Sequence, residues 1–217
     1  TKSNINAVVF NKVRKLFYAV GDNGLVLSSA DGVSWKIYQE LLPSVRLNSI
    51  AVLANGNEVI GGDGGNIFEL ILGADSSSDK IISREFYNDK VVDSSSSVTA
   101  VAVGGSYMLA GNSVGLTDAK ANDLFEADNW TYQGKLDGGA IADISFEADN
   151  DYFNALLKDG RVSSLDARKQ TAKWPRAVCV VHKGDGDCLV GATATSISTD
   201  ISSEHMIVVG GGSDDKH

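Results

Sequence analysis

The chain has 217 residues, 43% of them hydrophobic, with 23 Gly against 2 Pro, which suits one turn-rich globular domain and excludes collagen-like, coiled-coil and disordered chains. Its 19 Lys and Arg face 28 Asp and Glu, and the net charge of -9 repels phosphate backbones, so no nucleic-acid partner is expected. No apolar run reaches the ~18 residues of a membrane helix and the stretch from Thr1 to Asn6 is too polar for a signal peptide, so a soluble chain without membrane insertion is expected.

The first predicted strand is Ile5 to Phe10, an almost continuous apolar run of the kind buried on both faces. A basic turn with Lys12, Arg14 and Lys15 leads into Phe17-Tyr18-Ala19-Val20, which closes on the turn formers Gly21-Asp22-Asn23-Gly24. A more polar, alternating stretch, Leu25-Val26-Leu27-Ser28-Ser29, follows. The same unit then recurs. Inner strands are predicted at Ser49 to Leu53, Val98 to Val103, Ile141 to Phe146 and Ala177 to Val181. Second strands ending in Gly, Asn or Asp turns follow at Val59 to Gly65, Met108 to Gly115 and Ala155 to Gly160, while Leu189-Val190-Gly191-Ala192 keeps only the entry. From Gly24 to Gly65, Gly115 and Gly160 the steps are 41, 50 and 45 residues, near the period of a four-stranded propeller blade. Trp35, Phe86, Trp130 and Trp174 fall near the ends of units one to four. No window carries a sustained 3.6-residue apolar stripe with caps, so very little helix is expected.

These repeats predict an all-β chain forming a single β-propeller over residues 1–217, with five blades of four-stranded antiparallel sheet at about 4–40, 45–92, 96–136, 138–175 and 176–217. In the last unit, His205 to Gly212 reads as another inner hairpin strand, so either the final blade is compressed or a terminal strand closes the ring. Irregular insertions at Asp75 to Asp79 and Asp118 to Asp128 break the period, and their polar residues Asp75, Ser77, Asp79, Asp118 and Asp123 are the candidate interaction loops.

Ser29-Ala30-Asp31-Gly32-Val33-Ser34-Trp35 resembles the shorter form of the Asp-box, or BNR, repeat. That resemblance implies a turn between the third and fourth strands of a propeller blade, with Asp31 bonding the turn's amides and Trp35 packing beneath. It makes Ser29, Asp31, Gly32 and Trp35 structural rather than catalytic. Asp128-Asn129-Trp130-Thr131 and the pair Asp166 and Trp174 are degenerate copies. The family includes sialidases, photosystem assembly factors and receptor or virion proteins, so the resemblance implies a fold and no activity.

No catalytic constellation emerges. The six arginines, Arg14, Arg46, Arg84, Arg161, Arg168 and Arg176, do not recur at equivalent inner-strand positions, as a carboxylate-clamping triad requires. A glycosidase needs two facing carboxylates, yet Asp22, Asp63 and Asp159 sit beside Gly in repeat turns and leave Asp143 alone on an inner strand. His182, His205 and His217 are too dispersed for a zinc site. Gly61 to Gly65 lacks the Lys-Ser/Thr of a phosphate loop, and Asp149-Asn150-Asp151 and Asp185-Gly186-Asp187 read as solvated turns. Cys179 and Cys188 flank a turn-forming loop, and two buried thiols, a cross-strand disulfide and a metal site with His182, Asp185 or Asp187 all stay open.

The expected function is therefore a non-enzymatic interaction or structural module without cofactor. Its favoured setting is a phage or viral particle, as a decoration or tail appendage, with other protein subunits as partners and the virion as location. One alternative is a lectin-like propeller or weak glycosidase with a glycan partner. Another is an assembly factor of a cellular complex, for which Lys12, Arg14, Lys15 and Arg46 offer a faint basic patch.

Overall fold

The computed structural model describes residues 3–40, 44–71, 80–85, 96–113, 115–120, 131–134, 136, 139–168, 174–179, 194–199 and 206–210. Two compact units divide the chain, Thr1–Val101 and Ala102–His217. Among the described residues all regular structure is strand, apart from three-residue 3-10 turns at Asp22–Gly24 and Asp63–Gly65.

Four antiparallel meanders of four strands follow one another. The first holds β1 (Ile5–Asn11), β2 (Leu16–Gly21), β3 (Leu25–Ser29) and β4 (Lys36–Glu40). The second holds β5 (Leu47–Val52), β6 (Glu58–Gly62), β7 (Asn66–Ile71) and β8 (Lys80–Glu85). The third holds β9 (Val98–Gly104), β10 (Tyr107–Asn112), β11 (Leu116–Lys120) and β12 (Thr131–Gly134). The fourth holds β13 (Ile141–Glu147), β14 (Tyr152–Leu157), β15 (Arg161–Asp166) and the short β16 (Val178–Cys179). A two-stranded sheet of β17 (Ala194–Thr199) and β18 (Met206–Gly210) comes last.

The repeat extends to the register. Ile5 pairs with Gly21 and Ala7 with Val20, so Asn6 is an extra residue in β1; Leu47 pairs with Gly62 and Ser49 with Gly61, which makes Asn48 the extra residue in β5. Ala142 in β13 and Thr195 in β17 occupy the same bulge. After the second strand of the first, second and fourth sheets the next amide turns back: Asp22 N donates to Asn4 O at 3.0 Å, Asp63 N to Arg46 O at 2.9 Å and Lys158 N to Ala140 O at 2.9 Å. Asn23 (φ 61°) and Gly64 (φ 70°) both take the left-handed conformation in the first two of these turns, where Asn and Gly are the residues that tolerate it.

Two predicted elements differ from the structure. Val178 and Cys179 do not open an inner strand; Val178 pairs with Val162 and Cys179 with Arg161, which completes the fourth sheet, and the inner-type strand of the last sheet is Ala194–Thr199. Asp118 is not in a loop. It lies inside β11, opposite Leu109 on one side and Thr131 on the other, so its backbone is committed to two ladders.

In the first unit the core lies between the first two sheets. Tyr18, Val20 and Val26 from one and Leu47, Ile50, Ile60, Phe68 and Leu70 from the other form a buried cluster, flanked by Ala7, Val9, Leu16 and Tyr38. Each such side chain contributes about 1.5–3 kcal/mol when fully removed from water. A close approach at Gly61 continues the pattern: a Cβ there would lie 2.5 Å from Val98 Cγ1. In the second unit Gly111 plays the same part against Ile141 Cγ2, again at 2.5 Å, and Leu156 and Val162 pack with Ile197.

Candidate functional site

The carboxylates on the turn edges are engaged in holding backbone. Asp22 accepts from Asn4 Nδ2 (2.8 Å) and Asn6 Nδ2 (3.1 Å) and pairs with Arg46 Nε at 3.3 Å, contacts that lower its pKa. Asp63 accepts from Asn48 Nδ2 at 3.0 Å, and Asp159 forms a two-point pair with Arg161. Asp143 accepts from Ile144 N, Ser196 Oγ and Ile197 N, while burial raises its pKa. Such groups tie turns and neighbouring strands together.

The turn from Ser29 to Trp35 is closed by its own side chains. Asp31 Oδ1 accepts from Ser34 N (2.7 Å), Val33 N (2.8 Å) and Ser29 Oγ (2.9 Å), and these bonds hold the Asp31 carboxyl down to about 2. Ser29 Oγ also accepts from Gly32 N at 2.9 Å, and Gly32 sits at φ 73°, which favours glycine. Trp35 Nε1 donates to Gly32 O at 3.1 Å, and its ring lies 6.5 Å from that of Phe17, centroid to centroid.

At the β1–β2 turn, Asn11 is the organising residue. Its Oδ1 accepts from Val13 N and Arg14 N, its carbonyl accepts from Lys15 N at 2.7 Å, and Lys15 takes a left-handed φ of 56°. On the other side, Asn11 Nδ2 donates to Gly56 O (2.8 Å) and to Glu58 Oε1 (2.6 Å) of the second sheet. Asn11 and Glu58 are fully buried. Desolvation pushes the Glu58 carboxyl up to about 7, against the opposing pull of Asn11 and Arg14.

Between this turn and the Asp31 turn lies a groove of about 500 Å3. Leu16 and Tyr38 give it an apolar floor, Arg14, Lys36 and the serines Ser28, Ser29 and Ser34 add its polar lining, and that lining holds no His or Cys. Leu16 and Tyr38 also pack on the core, which fixes the floor to rigid strands. Asp31 lines it too, but with Oδ1 already accepting three bonds. The chemistry available is the binding of an anion attached to an apolar group, by charge-assisted bonds beside desolvated surface.

Of the sequence-derived basic patch, Lys12, Arg14 and Lys15 share the β1–β2 turn. Arg46 does not join them: it bonds Asp22 and Asn6 at the opposite end of β2, a separation of roughly 20 Å for six strand residues, and Lys36 takes its place at the groove. Ser29, Asp31, Gly32 and Trp35 are brought together in one turn. Asp75, Ser77, Asp79 and Asp123 lie outside the described residues, as do Trp130, Phe86, Cys188 and the loop before it. Asn6, Asn11, Asn48 and Glu58 were not singled out from the sequence. The available signal was the Asn that follows the first apolar residue in both Ile5-Asn6 and Leu47-Asn48.

No family model and no curated protein matches the chain. Solved structures do. Sqt1 from Chaetomium thermophilum superposes with a TM-score of 0.65 at 16% identity, covering 95% of this chain and 55% of that one. The same protein bound to the N-terminus of the ribosomal protein L10 gives 0.65 and 16%, with 95% and 56% covered. The β-propeller domain of Cps50 (Swd1) from Myceliophteria thermophila gives 0.64 and 12%, with 97% and 63% covered. These neighbours are WD40 β-propellers, and the likeness shows that this chain has the β-propeller fold. The chain spans 55% to 63% of the length of these structures.

Proposed function

We propose that the chain is a non-enzymatic propeller that binds protein partners within a cellular assembly, taking an acidic, apolar peptide segment into the groove between Arg14 and Lys36. One observation carries this reading. On a chain of net charge -9, two cations flank an apolar floor built on core strands. Fold likeness supports it, since the neighbour Sqt1 was crystallised with the N-terminus of a ribosomal protein in place. The virion setting draws no support from these likenesses and gives way to the assembly reading.

In the same account the chain is a single domain of five blades, with β17 and β18 belonging to the fifth. The Ser29–Trp35 turn is of the Asp-box type, supported by the bonds from Val33, Ser34 and Ser29 to Asp31. Its role is to hold the start of β4, and with it Lys36, against the groove.

The test is co-purification from the native source with the unaltered chain and with the double variant Arg14→Glu, Lys36→Glu. A protein recovered in fixed ratio with the first and lost at least about tenfold with the second, the equivalent of about 1.4 kcal/mol, supports the reading. Equal recovery with both overturns the groove assignment, and recovery of a glycan or of substrate turnover overturns the function.

A further inference from the structure

We infer that the groove between Arg14 and Lys36 is proton-linked: an anionic peptide entering it is bound together with a proton from solvent, held on the buried carboxyl of Glu58. Such regulation rests on the acidic-peptide reading of the groove. The observation is a carboxyl that the packing leaves half satisfied. Glu58 Oε1 accepts from Asn11 Nδ2 at 2.6 Å, while Oε2 is buried without a hydrogen-bond partner. The residue has no exposed surface. An ionised carboxylate needs donors at both oxygens, whereas a protonated one carries its proton on the oxygen that lacks a donor.

Asn11 joins this carboxyl to the groove. Its Nδ2 holds Glu58, and its Oδ1 accepts from Val13 N at 3.0 Å and Arg14 N at 3.1 Å, so one side chain fixes both the acid and the backbone that carries a groove cation. Arg14 is half-buried and attracts the Glu58 carboxylate. Lys12 and Lys15 share its turn but are exposed. In its own sheet Glu58 lies opposite Val52 and Leu70, and the first sheet brings Tyr18 and Tyr38 to the cluster around Leu70. Among these residues Arg14 is the one charge that acts on Glu58.

Arg14 is therefore shared between two anions. Ionised Glu58 draws on the Arg14 charge and repels a second anion; protonated Glu58 leaves that charge to the ligand. The coupling is reciprocal: a ligand anion beside Arg14 makes the Glu58 proton harder to remove, and protonation of Glu58 tightens the ligand by the same factor. Burial holds the Glu58 carboxyl at about 7, so this exchange falls at neutral pH instead of near an ordinary 4.5. Asp31, the one acid in the groove lining, is held at about 2 by its own turn, and the lining has no His or Cys. Glu58 is thus the group beside the groove that changes charge between pH 6 and pH 8.

The experiment measures binding of a dye-labelled peptide of glutamates around a phenylalanine, blocked at both ends, to the full chain at pH 6 and pH 8, where the peptide's own carboxylates stay ionised. A bound anion that makes the Glu58 proton about tenfold harder to remove gives a complex about fivefold tighter at pH 6 than at pH 8. Glu58→Gln, which keeps an acceptor for Asn11 without the charge, is expected to bind equally at both, at the tighter level. Calorimetry of the unaltered chain at pH 7.5, in two buffers of different ionisation heat, carries the test if that variant does not fold, with uptake of about half a proton per complex expected. Equal affinity at both pH values, no proton uptake, or a pH dependence that Glu58→Gln retains overturns the inference and leaves the groove reading standing. Absence of binding at both pH values overturns the groove reading, and the proton linkage with it.

Discussion

Asn6 and Asn48, 42 residues apart, make the same pair of bonds from the same bulge. Asn6 Nδ2 donates to Asp22 Oδ1 (3.1 Å) in its own sheet and to Leu47 O (2.7 Å) in the next; Asn48 Nδ2 donates to Asp63 Oδ1 and to Val98 O, both at 3.0 Å. The bulge turns one side chain of an apolar strand towards the neighbouring strand's carbonyl, so the first sheet is hydrogen-bonded to the second, and the second to the third, as well as packed on it. Asn48→Ala leaves the Val98 carbonyl without this donor and is expected to destabilise the protein by about 1–3 kcal/mol. Asn48→Asp is expected to cost more, since a carboxylate there faces both Asp63 and a carbonyl oxygen. Urea denaturation of the two variants checks the order.

Glu58 makes stability depend on pH. Its carboxyl titrates at about 7 in the folded chain against an ordinary 4.5, so the native state binds the proton more tightly than the unfolded state. The stability that Glu58 contributes is therefore fully present below about 4.5, falls as pH rises towards 7 and levels off above that. The fall is on the order of 3 kcal/mol. Glu58→Gln keeps an acceptor for Asn11 and is expected to flatten this profile. Guanidinium unfolding of both proteins at pH 5 and pH 8 reads the difference; equal profiles would contradict the assignment.

Gly61 is a packing position, since a Cβ there meets Val98 Cγ1 at 2.5 Å and Val101 Cγ1 at 3.2 Å. Gly61→Val is expected to lose about 1–3 kcal/mol through overpacking. The melting temperature measures it, with Gly105→Ala as an unsuitable comparison because Gly105 has φ 57° and Gly61 does not.

Asp31→Ala is expected to unlock the Ser29–Trp35 turn without unfolding the sheet. Amide exchange at Val33 and Ser34 should accelerate, because Asp31 Oδ1 is the acceptor for both. With the Asp31 carboxyl held at about 2 against an ordinary 3.8, the protection persists as pH falls through 3.8 and is lost through about 2. Exchange that is unchanged in the variant would remove Asp31 from its structural role.

The meander of apolar run, turn and alternating strand was legible in the sequence because each link is local: Phe17 to Val20 closes on Gly21-Asp22-Asn23-Gly24, and Val59-Ile60 on Gly61 to Gly65. What the sequence hid depends on distant partners. The second inner strand reads from Ser49, whereas β5 starts at Leu47, because Asn48 interrupts the apolar run and its bulge is visible only against Gly62. Val178-Cys179 has the composition of an inner strand, and only its pairing with Val162 and Arg161 assigns it to the fourth. The groove was half legible. Arg14 belonged to an evident basic cluster, but Lys36 reaches it through the Asp31 turn, and Asn11 meets Glu58 across 47 residues.

The most direct test of the groove is fluorescence anisotropy with a panel of labelled peptides of equal length, acidic, neutral and basic, each with and without an aromatic residue, at two salt concentrations. The account predicts that acidic peptides with an aromatic bind best, that salt weakens them, and that Arg14→Glu with Lys36→Glu lowers their affinity at least about tenfold. Binding that ignores peptide charge, or that survives the double variant unchanged, would contradict it.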